Sequence, residues 1–135
     1  MEEFTAAQRP LYEVKANLFK GLAHPVRIRV LEMLSNADEV AVSEMLDDMS
    51  LEASHLSQHL SVLRRHHLVT GERRGSQVLY RLAYPEVAGL LAVARVLLVH
   101  ILETTRRQLG DTASLPVVGS LPGAGMALDA AQAVS

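Results

Sequence analysis

Apolar residues recur at helical spacing along most of the chain, and the recurrence breaks at a few well-marked positions. Leu11, Val14, Leu18 and Leu22 follow three-and-four spacing, which predicts an amphipathic helix over 10–22. His24-Pro25 ends that pattern, and proline suits the first turn of the next helix, whose Val26, Val30, Leu31 and Leu34 face inward while Arg27 and Arg29 lie elsewhere. Ser43 reads as the N-cap of a short third helix through Leu46 to about Asp48, with Met45, Leu46 and Met49 as its core residues. A turn at Met49-Ser50-Leu51 leads to a fourth helix over 53–66. Its Leu56, Leu60 and Leu63 share one face, and Ser54, His55, Ser57, Gln58 and His59 occupy the other.

The period then changes. Val69-Thr70 and Gln77–Leu82 are β-prone runs on either side of a Gly-Ser turn, with Val78, Tyr80 and Leu82 alternating against Gln77, Leu79 and Arg81. This predicts a two-stranded hairpin with Arg73 and Arg74 near its tip. A long helix over 85–109 follows, with Val87, Leu90, Leu91, Ala94, Leu97, Leu98, Ile101 and Leu102. That stripe is too rich for one small domain to cover alone. From Gly110 onward, glycine and proline punctuate an Ala-rich stretch that reads as a loosely attached tail. The division is an N-terminal arm over 1–9, one domain over 10–109 and a tail over 110–135. The fold class is mainly α: about five helices with a two-stranded wing, a winged helix-turn-helix.

Composition mostly excludes. Hydrophobic residues make up 49% of the chain but aromatics only 4%, so the apolar content is chiefly Leu, Val and Ala, which suits helix packing. With no cysteine there is no disulfide, thiolate metal site or Cys nucleophile. There is no His-Glu-X-X-His, no glycine-rich phosphate loop and no Gly-X-Ser-X-Gly elbow, and no enzyme is expected. No apolar run approaches the ~20 residues a bilayer span needs, and Lys or Arg interrupts the longest ones, so no membrane is expected. The acidic opening Met1–Phe4 does not read as a secretory signal, and a cytoplasmic location is the expectation.

Net charge is −2, which looks wrong for a nucleic-acid binder until its distribution is read. Every formal charge from Glu32 to Glu52 is negative, whereas 53–81 carries Arg64, Arg65, Arg73, Arg74 and Arg81 against Glu72 alone. That basic stretch coincides with the polar-faced helix and the hairpin. The second helix of a helix-turn-helix lies in the major groove, anchored by one face and reading bases with the other. Gln58 can pair in bidentate fashion with adenine, and Ser54, His55, Ser57 and His59 can reach bases or phosphates. Arg64, Arg73, Arg74 and Gln77 are placed to meet the backbone or the adjacent minor groove.

The order and wording of these segments resemble the arsenic-repressor (ArsR-type) family of bacterial winged-helix regulators. The resemblance rests on FKGLAHPVRIRVLEMLS and HLSQHLSVLRRHHLVTGERRGSQVLYRL and extends over about Leu11 to Leu102. It implies a homodimer paired through its first and last helices, repressing from an inverted-repeat operator and released by a metal or other effector. It implies that Ser57, Gln58 and His59 lie on the recognition helix and Arg73 to Gln77 on the wing. Three departures qualify it. Val40-Ala41-Val42-Ser43 stands where many members carry cysteines, which excludes a thiolate sensor of arsenic, lead or cadmium. His100 and Glu103 reproduce one half of a last-helix metal site, but the other half falls near Val87 and Gly89, which cannot ligate. The recognition helix ends at His67 where the family has Gly, and histidine tolerates the left-handed conformation better than most residues. Two alternatives stay open: a nickel- or zinc-responsive sensor using His100 and Glu103, and a helical interaction module that no longer binds DNA.

Overall fold

The computed structural model describes residues 5–112. α1 (Arg9–Leu22) and α2 (Pro25–Ser35) each carry a proline in the first turn, where no N–H is needed. Between them His24 is extended, and its Nδ1 accepts the Val26 N–H at 3.1 Å, capping α2. There follow β1 (Val40–Ala41), α3 (Val42–Met49), α4 (Ala53–Arg65), β2 (Val69–Arg74), β3 (Gln77–Leu82) and α5 (Glu86–Thr112).

Two expectations are corrected by the same short segment. The sheet has three strands in the order β1-β3-β2, all antiparallel, because Val40 and Ala41 pair with Tyr80 and Leu79. With its backbone held in a strand, the chain enters α3 at Val42 directly. The cap residue is therefore Ala41 rather than Ser43, and Glu44 Oε1 reaches back to the Ala41 N–H at 3.4 Å. The wing itself is as expected. β2 and β3 pair from Val69↔Leu82 to Arg74↔Gln77 around Gly75-Ser76, and Gly75 takes the positive φ of 65° that a two-residue primed turn demands.

The end of α4 shows how closely its terminus is specified. His67 sits in the left-handed region at φ 60°. The Leu68 N–H bonds the Leu63 carbonyl and the His67 N–H the Arg64 carbonyl, both at 3.0 Å, which is the Schellman arrangement. Leu63 and Leu68 are both buried, supplying the apolar contact that accompanies it. α1 passes close by: a Cβ on buried Gly21 would fall 2.6 Å from Cγ of His66, so glycine is what permits the approach.

One core unites the elements. Val30, Leu31 and Leu34 of α2, Met45 of α3, Leu56, Leu60 and Leu63 of α4, Val69 and Tyr80 of the sheet and Val87 at the start of α5 are buried together. Beyond Leu91 the packing stops. Val93, Val96, Leu97, Leu98, Ile101 and Leu102 of α5, and Leu11, Val14, Leu18 and Phe19 of α1, are exposed. The expectation that no segment could span a membrane needs correction on length and composition. Glu86–Asp111 has a mean hydropathy of 1.9 in its most apolar stretch, of which 6% is buried. Arg95 interrupts it, but one arginine costs only about 3 kcal/mol on insertion scales and does not disqualify a helix. α5 also runs past Gly110 to Thr112, while residues 1–4 of the expected arm and 113–135 of the expected tail lie outside the described residues.

His67→Gly should relieve the left-handed strain and raise stability by about 0.5–1 kcal/mol. The check is urea unfolding, where a higher midpoint at unchanged slope is expected. A lower midpoint would mean that the imidazole contributes packing worth more than the strain.

Candidate nucleic-acid interface

α4 is amphipathic in a way that settles its orientation. Leu56 and Leu63 are completely buried and Leu60 nearly so, fixing one face to α2, α1 and β2. Ser54, His55, Ser57 and Gln58 consequently emerge exposed on the opposite side, at the N-terminal end of the helix. α3 and the turn through Ser50 precede it, with Ser50 closing α3 in the left-handed region at φ 51°, ψ 43°. Two helices, a tight turn and an outward polar face thus stand together as a helix-turn-helix requires. Arg64 is exposed near the far end of α4, with Nη2 3.3 Å from Ser61 Oγ.

His59 departs from its neighbours. It is half-buried, its Nδ1 lies 3.3 Å from Arg27 Nη1, and its ring centroid is 4.0 Å from that of His24. The expectation of an outward imidazole is corrected: one ring nitrogen is already engaged with α2. Desolvation first, then the nearby His24, Arg27 and His55, hold its pKa below the usual imidazole value.

The wing divides its two arginines. Arg74 forks onto Glu39 at 2.8 and 3.0 Å and also reaches Glu72 at 3.2 Å, and Glu72 is shared with Arg81 at 3.3 Å. The Glu39 hydrogen bonds raise the Arg74 pKa and in turn lower that of the Glu39 carboxyl. Three of the five guanidinium N–H donors of Arg74 are thus committed to carboxylates. Arg73 lies on the other face of β2, exposed, with no ion-pair partner among the described residues. Gln77 faces Arg74 across the hairpin end.

Some of the residues that position the site were not singled out from sequence. Arg27 ties the carbonyls of Lys20, Gly21 and Ala23 to α4, and Arg29 binds both oxygens of Asp48 at 2.9 and 2.7 Å, joining α2 to α3. Their signal was an arginine one turn after a capped helix start, which periodicity alone cannot separate from a solvated charge.

Comparison with known proteins agrees with this geometry. Residues 22–72, from the end of α1 into β2, match a family described as a helix-turn-helix domain. The HTH-type transcriptional regulator Rv0081 of Mycobacterium tuberculosis is 51% identical over 103 residues, covering 76% of this chain and 90% of that one. Its crystal structure aligns at a TM-score of 0.66 and 49% identity, over 70% of this chain and 95% of that chain. The homodimeric winged helix-turn-helix DNA-binding domain Mb0332 of Mycobacterium bovis, a possible ArsR-family regulator, aligns at 0.65 with 28% identity, over 77% and 95%. The repressor SmtB of M. tuberculosis is 36% identical over 83 residues, 62% of this chain and 61% of SmtB. The chain belongs to the ArsR-type family of bacterial transcriptional regulators. As an ArsR-type protein it is a regulator and not an enzyme, and the winged helix-turn-helix is the family's fold.

Metal ligation does not follow from membership. His100 and Glu103 are exposed on α5, and among the described residues no three His, Asp or Glu gather to hold an ion. Zinc takes three or four protein donors. Val87, near which the other half-site would fall, is buried, and Gly89 has no side chain, so the residues present do not fit the last-helix site.

The unequal commitment of the wing arginines predicts unequal effects on binding to duplex DNA. Arg73→Ala should reduce the salt dependence of binding by about one unit of slope. Arg74→Ala should change it less, since its charge is already answered by Glu39. Fluorescence anisotropy at a series of salt concentrations measures both, and equal slopes for the two variants would contradict the assignment.

Proposed function

We propose that this ArsR-type regulator is a repressor that binds an inverted-repeat operator as a homodimer, with α4 of each copy in successive major grooves. One observation carries the reading: Leu56, Leu60 and Leu63 pin α4 to the core, so Ser54, His55, Ser57 and Gln58 can only face outward, while Arg73 is exposed on the wing. Gln58 is the side chain with the donor–acceptor pair suited to an adenine edge. Arg64, Arg73 and Arg74 serve the phosphates.

The homodimer answers the second demand of the structure. The exposed apolar faces of α1 and α5 flank a groove of about 500 Å³ lined by Leu18, Leu68, Tyr84, Val87 and Leu90. Contiguous apolar surface of this extent marks an interaction site. A second copy offers the same stripes, as a two-fold interface requires, and the related Mb0332 domain is homodimeric. The two recognition helices of such a pair stand about one DNA turn apart, ~34–36 Å.

Two outcomes test this. Gln58→Ala should cost about 1–3 kcal/mol on a duplex selected from a random pool by the wild-type protein, with little loss on unselected DNA. Equal loss on both would move Gln58 to the backbone. Val96→Glu with Leu97→Glu on α5 should convert a dimer, measured by light scattering, into a monomer that no longer distinguishes the selected duplex. A wild-type monomer that binds the duplex normally would contradict the dimeric reading.

A further inference from the structure

We propose that Arg27 and His59 are the positioning pair of the interface: Arg27 fastens the recognition helix to the C-terminal end of α1, and does so only while the His59 ring is neutral. The inference rests on α4 being the DNA-contacting helix, and it requires neither residue to touch DNA.

The guanidinium is spread across two elements. Nε donates to the Gly21 carbonyl at 2.9 Å, and Nη2 to the carbonyls of Lys20 and Ala23 at 3.1 and 3.4 Å. These carbonyls belong to the last turn of α1 and its cap, where helices leave acceptors without an intrahelical partner. Nη1 lies 3.3 Å from His59 Nδ1 on α4. A guanidinium has no lone pair to offer, so in this contact Nδ1 must be the unprotonated acceptor. The His24 ring lies tilted against the same ring, and its own Nδ1 accepts the Val26 N–H that caps α2. A proton on Nδ1 of His59 would remove the acceptor and set an imidazolium against Arg27.

The charged and titratable groups acting on the ring are His24 before α2, Arg27 on α2 and His55 one turn back on α4, while α1 presents main-chain carbonyls to Arg27. None of these three is acidic, and each acts to lower the His59 pKa. Burial and these neighbours depress the His59 pKa, which means the folded, clamped state takes up the proton less readily than an open one. The clamp therefore contributes in full above the ordinary imidazole value of about 6.5, and it is lost as the pH falls from there through the lower value of the folded state. Since α1 belongs to the proposed dimer interface and α4 to the DNA interface, its loss disconnects the spacing of the pair from the helix that reads the groove.

The test compares each protein with itself at two pH values, on a duplex selected by the wild type from a random pool at about pH 7.5. His59→Asn puts an amide Oδ1 near the place of Nδ1, an acceptor that does not titrate. Between about pH 7.5 and 5.5 the wild type should lose on the order of tenfold more affinity than His59→Asn. His55 is present in both proteins, so whatever it contributes is common to the two profiles. In an Arg27→Ala background the same pair of proteins should show no such gap. Identical pH profiles for wild type and His59→Asn would overturn the proposal, and so would a gap that persists without Arg27, since the proton would then act at the DNA directly. If the Arg27→Ala proteins do not fold, Arg27→Lys serves as the background instead, since an ammonium cannot span the α1 carbonyls and the ring together and the gap should again disappear. If the wild type selects no duplex, the DNA-binding reading itself fails and the proposal falls with it.

Discussion

Three leucines one turn apart hold α4 against the core, and nearly everything functional in this chain depends on that contact. Truncating a fully buried leucine costs about 2–5 kcal/mol, a large share of what holds a small domain together. α4 therefore cannot roll about its axis without surrendering a fraction of the fold. The outward direction of Ser54, Ser57 and Gln58 is thus a consequence of packing and needs no hydrogen bond of their own. The left-handed turn at His67 then sends the chain straight into the wing, so the arginine-bearing hairpin arises beside the helix it assists.

The electrostatics follow a similar economy. Within a chain of net charge −2, three carboxylates of the acidic run between Glu32 and Glu52 are answered by arginines of the fold. Asp48 is held by Arg29 and Glu39 by Arg74, and the Arg29 hydrogen bonds keep the Asp48 carboxyl below its ordinary range. These pairs are exposed and stabilise little by themselves. Their effect is on availability: Arg73 stands ready while Arg74 is shared, and His59 is drawn inward by Arg27.

Helices with a strong apolar period and a marked start were legible without coordinates. Pro25, the leucines of α4 and the Gly75-Ser76 turn each impose a local geometry that few other arrangements satisfy. The left-handed His67 was legible only through the family resemblance, which puts glycine at that position. What escaped was set by contacts distant in sequence. β1 is two residues long and exists because β3 passes beside it, so no local signal announces it. Whether an arginine is spent or ready depends on a carboxylate 35 positions away for Arg74, and whether a histidine faces outward depends on an arginine 32 positions away for His59. The exposed stripes of α1 and α5 were readable as surplus, but the apolar strength of α5 was underrated because Arg95 was given too much weight.

The central claim is that the exposed end of α4 meets DNA because the core leaves it no other direction. Amide chemical shifts of the isotopically labelled protein, followed as a selected duplex is added, test it most directly. The account predicts the largest changes at residues 54–58 and at Arg73, with α3's acidic surface and the distal half of α5 little altered. Changes concentrated on α5, with 54–58 unmoved, would contradict it.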